Sequence, residues 1–271
     1  MDNRPIGVFD SGLGGLTCVR ELEHRMPHES VVYFGDTGRV PYGGRSRETI
    51  TKYARQDVAF LRTHDLKAIV IACGTVSSTA IDELRREQEL PVFGVVEPTA
   101  LRAAQVTRNG RIGLIATRAT IATGAYERLM LQTDPHLTVH AAACPLFVPL
   151  VENGRTQPGD IVIETVVKDY LTPLKEAGVD TLVLGCTHYP LLREVIRNFM
   201  GPEVRLVDSG AEVAHQVEGW LTREDRLSGL AGRGNCQWYV SDSQQGFRDL
   251  ACCFLGRPVG EKVGKVDIER Y

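Results

Sequence analysis

AIVIACGTVSST, Ala68 to Thr79, reads as a short buried strand rich in β-branched residues that ends at a cysteine, with a helical pattern starting just past it. TLVLGCTHYPLL, Thr181 to Leu192, repeats the arrangement far along the chain. Each stretch delivers one thiol, Cys73 or Cys186, to a strand-to-helix turn. The separation is too long for a local motif, so the matched contexts predict two half-sites that face one small substrate.

Outward from these stretches, strands and helices alternate. Strands are expected at Ile6–Phe9, Val31–Phe34, Val92–Val95, Arg111–Ile115, Val139–Ala143, Arg205–Val207 and Gln237–Ser241. Helices are expected over Leu16–Arg25, from Ser46 to about His64, and over Val76–Arg86, Thr99–Thr107, Thr123–Gln132, Gly159–Lys175, Leu191–Phe199 and Ser243–Leu255, with another ending at Leu221. Such βαβ spacing argues for parallel sheets covered on both faces. The expected fold is α/β, two pseudo-symmetric halves that are each a mainly parallel sheet flanked by helices, with the active site between them. The first half would be discontinuous, residues 1–97 plus 208–271, and the second would span 98–207.

Three turns carry further signals. Asp10-Ser11-Gly12-Leu13-Gly14-Gly15 joins a strand to a helix as an anion-binding turn would. A dinucleotide fingerprint would need a third glycine where Thr17 stands. The Gly35–Gly44 loop, with Tyr42 and Gly43, is longer than a connection requires and suits a pocket wall. A second Asp-Ser-Gly, at Asp208, ends a later strand; with the paired cysteines it suggests an internal duplication.

At 271 residues, with 43% hydrophobic and 24% charged residues, the chain has the make-up of a soluble globular protein. A net charge of −3 argues against nucleic acid as a partner, because phosphate binding needs a basic face. Met1 to Pro5 lacks a signal-peptide pattern and no apolar run is long enough for a membrane span, so the cytoplasm is expected. The seven cysteines show no CxxC pair and no metal-type spacing, which predicts free thiols and no metal. Cys18, Cys236, Cys252 and Cys253 read as small buried hydrophobes. Cys144, before Pro145, stays open between that reading and a strand-end role.

A thiolate on one side of a carbon can remove a proton while a thiol on the other side supplies one, and the product is the mirror image. A helix N-terminus near each sulfur would favour thiolate, and Pro190 suits the first turn of the second helix. Hydroxyls at strand ends, on Ser11, Thr75, Thr117 and Thr187, could hold a carboxylate. Asp10, Glu152 and His188 could adjust or relay the protons. Rival thiol chemistries fit less well. A phosphatase loop needs arginine six residues after the cysteine, with five between, and the chain has no such arginine after Cys73; its spacing after Cys186 does not carry that loop either. A Cys–His hydrolase would leave the second strand-end cysteine idle.

Together GVFDSGLGG, YFGDTGRVPYG, IACGT, PLVENG and GCTHYPLL, in this order across nearly the whole chain, resemble the glutamate racemases, pyridoxal-phosphate-independent members of the aspartate/glutamate racemase superfamily. The resemblance implies two α/β domains about a pseudo-dyad and interconversion of L- and D-glutamate for peptidoglycan synthesis. It further implies no cofactor, glutamate as small-molecule substrate and a homodimer. It makes Cys73 and Cys186 the acid/base pair. It places Asp10, Ser11, Tyr42, Gly43, Thr75, Thr187 and His188 at the substrate, with Asp10, Glu152 and His188 tuning the thiols. One position departs: Gly74 stands where the family usually has Asn, so an amide contact is missing. A hydrogen bond to a charged group is worth roughly 1.5–3 kcal/mol, or about tenfold to a hundredfold in affinity. Weaker or altered substrate binding is therefore expected, with the chemistry retained. A racemase of another amino acid such as aspartate, and a non-catalytic amino-acid-binding module, are the alternatives.

Overall fold

A computed structural model describes residues 1–271. The chain runs β1 (Ile6–Asp10), α1 (Leu16–Arg25), β2 (Val31–Gly35), α2 (Arg47–Leu61), β3 (Ala68–Ile71), α3 (Gly74–Thr79), α4 (Ile81–Glu87), β4 (Val92–Gly94) and α5 (Val96–Val106). It continues through β5 (Arg111–Ala116), α6 (Arg118–Thr123), α7 (Ala125–Thr133), β6 (Thr138–Ala143), α8 (Phe147–Glu152), α9 (Ile161–Glu176), β7 (Thr181–Leu184), α10 (Arg193–Met200), β8 (Arg205–Asp208) and α11 (Ser209–Arg223). It closes with β9 (Cys236–Val240), α12 (Gln244–Leu255) and β10 (Val263–Lys265).

All strand pairs are parallel. Six strands form one sheet in the order β10-β9-β2-β1-β3-β4, and four form the other in the order β6-β5-β7-β8. Removing β9 and β10 leaves the same order in both, so β1 to β4 correspond to β5 to β8. Residues of β1, β2, β3 and β7 are buried throughout, as the apolar runs require when helices cover both faces. The larger core is continuous across both sheets, with α11 packed on α1 and on α5. A smaller core lies under α2 on the far face of the first sheet.

The strand expectations hold, and the helix boundaries differ for local reasons. The expected helix Val76–Arg86 is two, α3 and α4, parted at Ala80, where φ is −122°. The Ser77-Ser78-Thr79 run competes for backbone bonds, and Ser78 Oγ donates to Thr75 O at 3.1 Å. Helix α6 precedes the expected Thr123–Gln132 helix, and Gly124 at φ +62° separates it from α7. Pro98 fits the first turn of α5, which starts before the expected Thr99. Strand β10 carried too short an apolar pattern to be foreseen. No helix is long and apolar enough to cross a membrane.

The duplication is real in topology, but the two Asp-Ser-Gly turns are not its mark. Asp10 ends β1 and Asp208 ends β8, which are not corresponding strands. Their likeness is local: in each, the aspartate accepts from the N–H two residues on, at 3.0 Å for Gly12 and 2.9 Å for Gly210. The cysteines do correspond, since Cys73 follows β3 and Cys186 follows β7.

Candidate active site

The carboxyl ends of β1, β3, β5 and β7 converge on one cavity of about 470 Å³. Parallel α/β sheets place ligands at such ends. Cys73 and Cys186 both line it, with Ser11, Tyr42, Gly43, Gly74, Thr75, Thr117, Glu152, Thr187 and His188. Asp10 is the exception among the expected substrate contacts. It is 1% exposed, lies beneath Ser11 and does not line the cavity.

Close approach at two glycines sets the geometry. A Cβ on Gly14 would lie 2.1 Å from Thr187 Oγ1 and 2.5 Å from His188 Nδ1, so only glycine lets the first turn meet the Cys186 loop. Thr17, where a nucleotide fingerprint would have glycine, fastens that contact: its hydroxyl lies 2.8 Å from Gly14 O and 3.0 Å from Thr187 O. A Cβ on Gly74 would lie 2.7 Å from Gly185 O. A side chain at this position, the asparagine that the resemblance leads one to expect included, therefore has no room here unless the two cysteine turns move apart.

Around Cys73 the polarity comes from one carboxyl group and one hydroxyl. Its thiol donates to Ser11 Oγ at 3.4 Å. Burial and then the nearby Asp10 carboxylate push its pKa up to about 12, more than Ser11 and the Val76 N–H pull it down. The expected depression at a helix N-terminus is thus overturned. Helix α3 has only six residues of dipole to offer, too little against full burial. Asp10 is itself raised, by burial above all.

Cys186 has a cation for company instead. His188 Nδ1 lies 3.9 Å from its Sγ, while His188 Nε2 lies 3.0 Å from Glu152 Oε1. Burial lowers the His188 pKa, but the bonds to Cys186 and Glu152 outweigh it and hold the imidazole at about 10, protonated at neutral pH. The Phe254 ring meets the His188 ring edge-on at 5.1 Å and fixes its plane. No α-helix starts at Cys186: a 3-10 turn over Tyr189–Leu192 intervenes before α10, because Pro190 donates no backbone bond. The expected helix dipole there is replaced by the histidine.

A chain of hydroxyls bridges the two sides, with Thr75 Oγ1 3.1 Å from Thr117 Oγ1 and Thr117 Oγ1 3.0 Å from Thr120 Oγ1. Tyr42 lines the cavity, and its hydroxyl points to Asp36. Cys144, left open by the sequence, is buried and lines the cavity. Cys18 is buried and Cys236 half-buried, but Cys252 and Cys253 are exposed on α12, against their expected burial. Sequence reasoning missed Arg118, the one Lys or Arg side chain lining the cavity; its place directly after the strand-end Thr117 was the available signal. It also missed Thr120, which caps with Thr117 at the start of α6, since the helix itself was not foreseen.

Residues 16–217 match the Asp/Glu/Hydantoin racemase family. The chain belongs to this family, among its glutamate racemases. It is 46% identical to a glutamate racemase of Geobacter metallireducens over 98% of this chain and 97% of that one. Its structure is similar to glutamate racemase isoform RacE1 of Bacillus anthracis, with a TM-score of 0.93, 36% identity and 98% of each chain covered. It is also similar to the Francisella tularensis glutamate racemase solved in complex with D-glutamate, with a TM-score of 0.91, 35% identity and 100% of each chain covered. Membership makes the chain an isomerase, an amino-acid racemase.

Proposed function

We propose that the chain interconverts L- and D-glutamate without a cofactor, with Cys73 and Cys186 as the two acid/base groups. One sulfur, as thiolate, takes the α-proton and becomes a thiol. The opposite thiol then gives its proton to the other face of the carbon and becomes a thiolate, ready for the reverse reaction. Charge that develops on the substrate carboxylate is held by donors around it, from Ser11, Thr75, Thr117 and Thr187. His188, held by Glu152, partners the Cys186 sulfur, and Asp10 acts on Cys73 from beneath. The observation that carries this reading is that both sulfurs line one cavity from corresponding strands of two like sheets. Residues 1–97 with 208–271, and 98–207, are proposed as the two domains that form its walls. Work in the cytoplasm, supplying D-glutamate for peptidoglycan, is part of the same proposal.

The test is polarimetry with L- or D-glutamate and no added pyridoxal phosphate. Racemisation is expected for the wild type, with a loss of at least 10²–10⁴-fold for Cys73→Ala and for Cys186→Ala, about the range for a lost acid or base. Intact racemisation in both variants would sink the proposal. Gly74 favours one second reading, a different amino acid, and faster turnover of aspartate than of glutamate would establish it. Glutamate binding without any α-proton exchange would instead indicate a binding module.

A further inference from the structure

The wall of the cavity formed by Tyr42–Gly44 is tied down by a buried polar cluster that the proposed reaction does not use. Asp36, in the loop after β2, and Asp57, on the buried face of α2, are both 0% exposed. One guanidinium serves both: Arg39 Nε donates to Asp36 Oδ2 at 2.6 Å and Nη2 to Asp57 Oδ1 at 3.1 Å. Arg39 also lies 4.1 Å over the Tyr53 ring and reaches Glu269 Oε1 at 3.2 Å, a carboxylate that is 61% exposed on the C-terminal turn. The Tyr42 hydroxyl donates to Asp36 Oδ2 and lies 3.2 Å from Asp57 Oδ2.

Counting protons decides the state of this cluster. The single phenolic hydrogen goes to Asp36, which leaves Asp57 Oδ2 and the Tyr42 oxygen as two acceptors facing one another. A proton on Asp57 Oδ2 turns that contact into a hydrogen bond to the Tyr42 oxygen, whereas one phenolic hydrogen shared between both carboxylates would leave two buried anions against a single guanidinium. Asp36 Oδ1 has no hydrogen-bond partner, so a proton there would have nothing to bind. Charge agrees with geometry, since two fully buried carboxylates against one guanidinium would leave an uncompensated negative charge. Asp10 on β1 adds to the negative field. Burial first, then Asp36, raises the Asp57 pKa well above the carboxylate range.

The turn that this cluster holds reaches across the cleft. A Cβ on Gly43 would meet Thr117 Cβ at 3.1 Å, and the turn packs on α6. Its position therefore sets how the first sheet's side meets the hydroxyl chain on the second. We propose that Asp36, Arg39 and a neutral, proton-carrying Asp57 form an anchor that positions the Tyr42–Gly44 wall for substrate, with Asp57 and Asp36 as positioning residues that act through Tyr42. The inference rests on reading the cavity as the active site.

The two aspartates should then respond oppositely to the same substitution. Asp57→Asn keeps a donor toward Tyr42 and an acceptor toward Arg39, so KM and kcat stay within about threefold. Asp36→Asn removes the charge that Arg39 and Tyr42 bind, so KM rises roughly tenfold to a hundredfold with kcat changed far less. Tyr42→Phe, which deletes one hydroxyl and spares the fold, raises KM in the same direction and serves if Asp36→Asn does not fold. In the infrared, the difference between wild type and Asp57→Asn at neutral pH should contain the carbonyl band of a neutral carboxylic acid. Equal KM increases in both Asn variants, an unchanged KM in Asp36→Asn and Tyr42→Phe, or a difference spectrum showing only ionised carboxylate would each overturn the anchor. The infrared readout needs no turnover, so it separates failure of the anchor from failure of the racemase reading.

Discussion

Cys73 and Cys186 end corresponding strands of two like sheets and meet different company. Cys73 has a hydroxyl at 3.4 Å and a buried carboxyl group close behind, with no cation. Cys186 has an imidazole at 3.9 Å, itself held by a glutamate. A symmetric scaffold thus carries an asymmetric pair. The lesson is that topology duplicates the placement of the sulfurs, while the polar groups beside them differ, Ser11 and Asp10 on one side and His188 with Glu152 on the other.

The first way to break this comparison is to remove the cation. His188→Gln should lower kcat about 10²-fold, toward the lower range for a lost proton-transfer partner, with KM changed much less; initial rates in both directions check it. A loss no greater than that of Ser11→Ala would mean the two sides are alike after all. Next in size is Gly74→Asn, which supplies the amide that the sequence resemblance leads one to expect. Because its Cβ would crowd Gly185 O, it should destabilise by about 1–3 kcal/mol in denaturant unfolding and raise KM instead of lowering it. Improved affinity at unchanged stability would show that the missing amide, and not the close approach, governs this position.

Smaller effects sharpen the picture. Thr120→Val removes the last hydroxyl of the chain, the one that supports Thr117, and should cost about 1 kcal/mol of stability, measured by urea unfolding. Arg118→Ala should raise KM a few-fold, and less at high salt, since Arg118 is a charge at the cavity within reach of solvent ions.

The His188–Glu152 pair also predicts a pH dependence. A histidine raised from 6.5 to about 10 on folding contributes stability that is full below the unfolded value and fades as pH climbs through about 10. The melting-temperature gap between wild type and Glu152→Gln should therefore shrink over that window. A gap that widened with pH would put the proton elsewhere.

Much of this was legible in the chain because it lies on buried strands and their ends. Apolar runs such as AIVI and TLVL, short, rich in β-branched residues and bounded by turn signals, read as buried strands, and the residues just past a parallel strand's carboxyl end lie at the site. Helix starts were harder, because Ser and Thr runs near Cys73 and the proline after Tyr189 redirect the backbone by local bonds that periodicity does not register. The Arg39 anchor was invisible as a cluster, since its parts come from a loop, a helix and the C-terminal turn. One trace of it was present: Asp57 falls on the same stripe of α2 as Ile50, Ala54 and Leu61, a charged residue on a face that packing buries. Asp10, placed at the substrate by its motif, is buried next to the cavity-lining Ser11, where its carboxylate accepts from the Gly12 N–H.

Label transfer from solvent tests the two-sulfur account most directly. With L-glutamate in deuterium oxide, sampled early in the reaction, the D-glutamate formed should carry deuterium at the α-carbon while unreacted L-glutamate keeps its hydrogen, and the same should hold from the other enantiomer. Deuterium that entered recovered substrate as fast as product would mean that one group serves both faces, and would contradict the assignment of Cys73 and Cys186 as a pair.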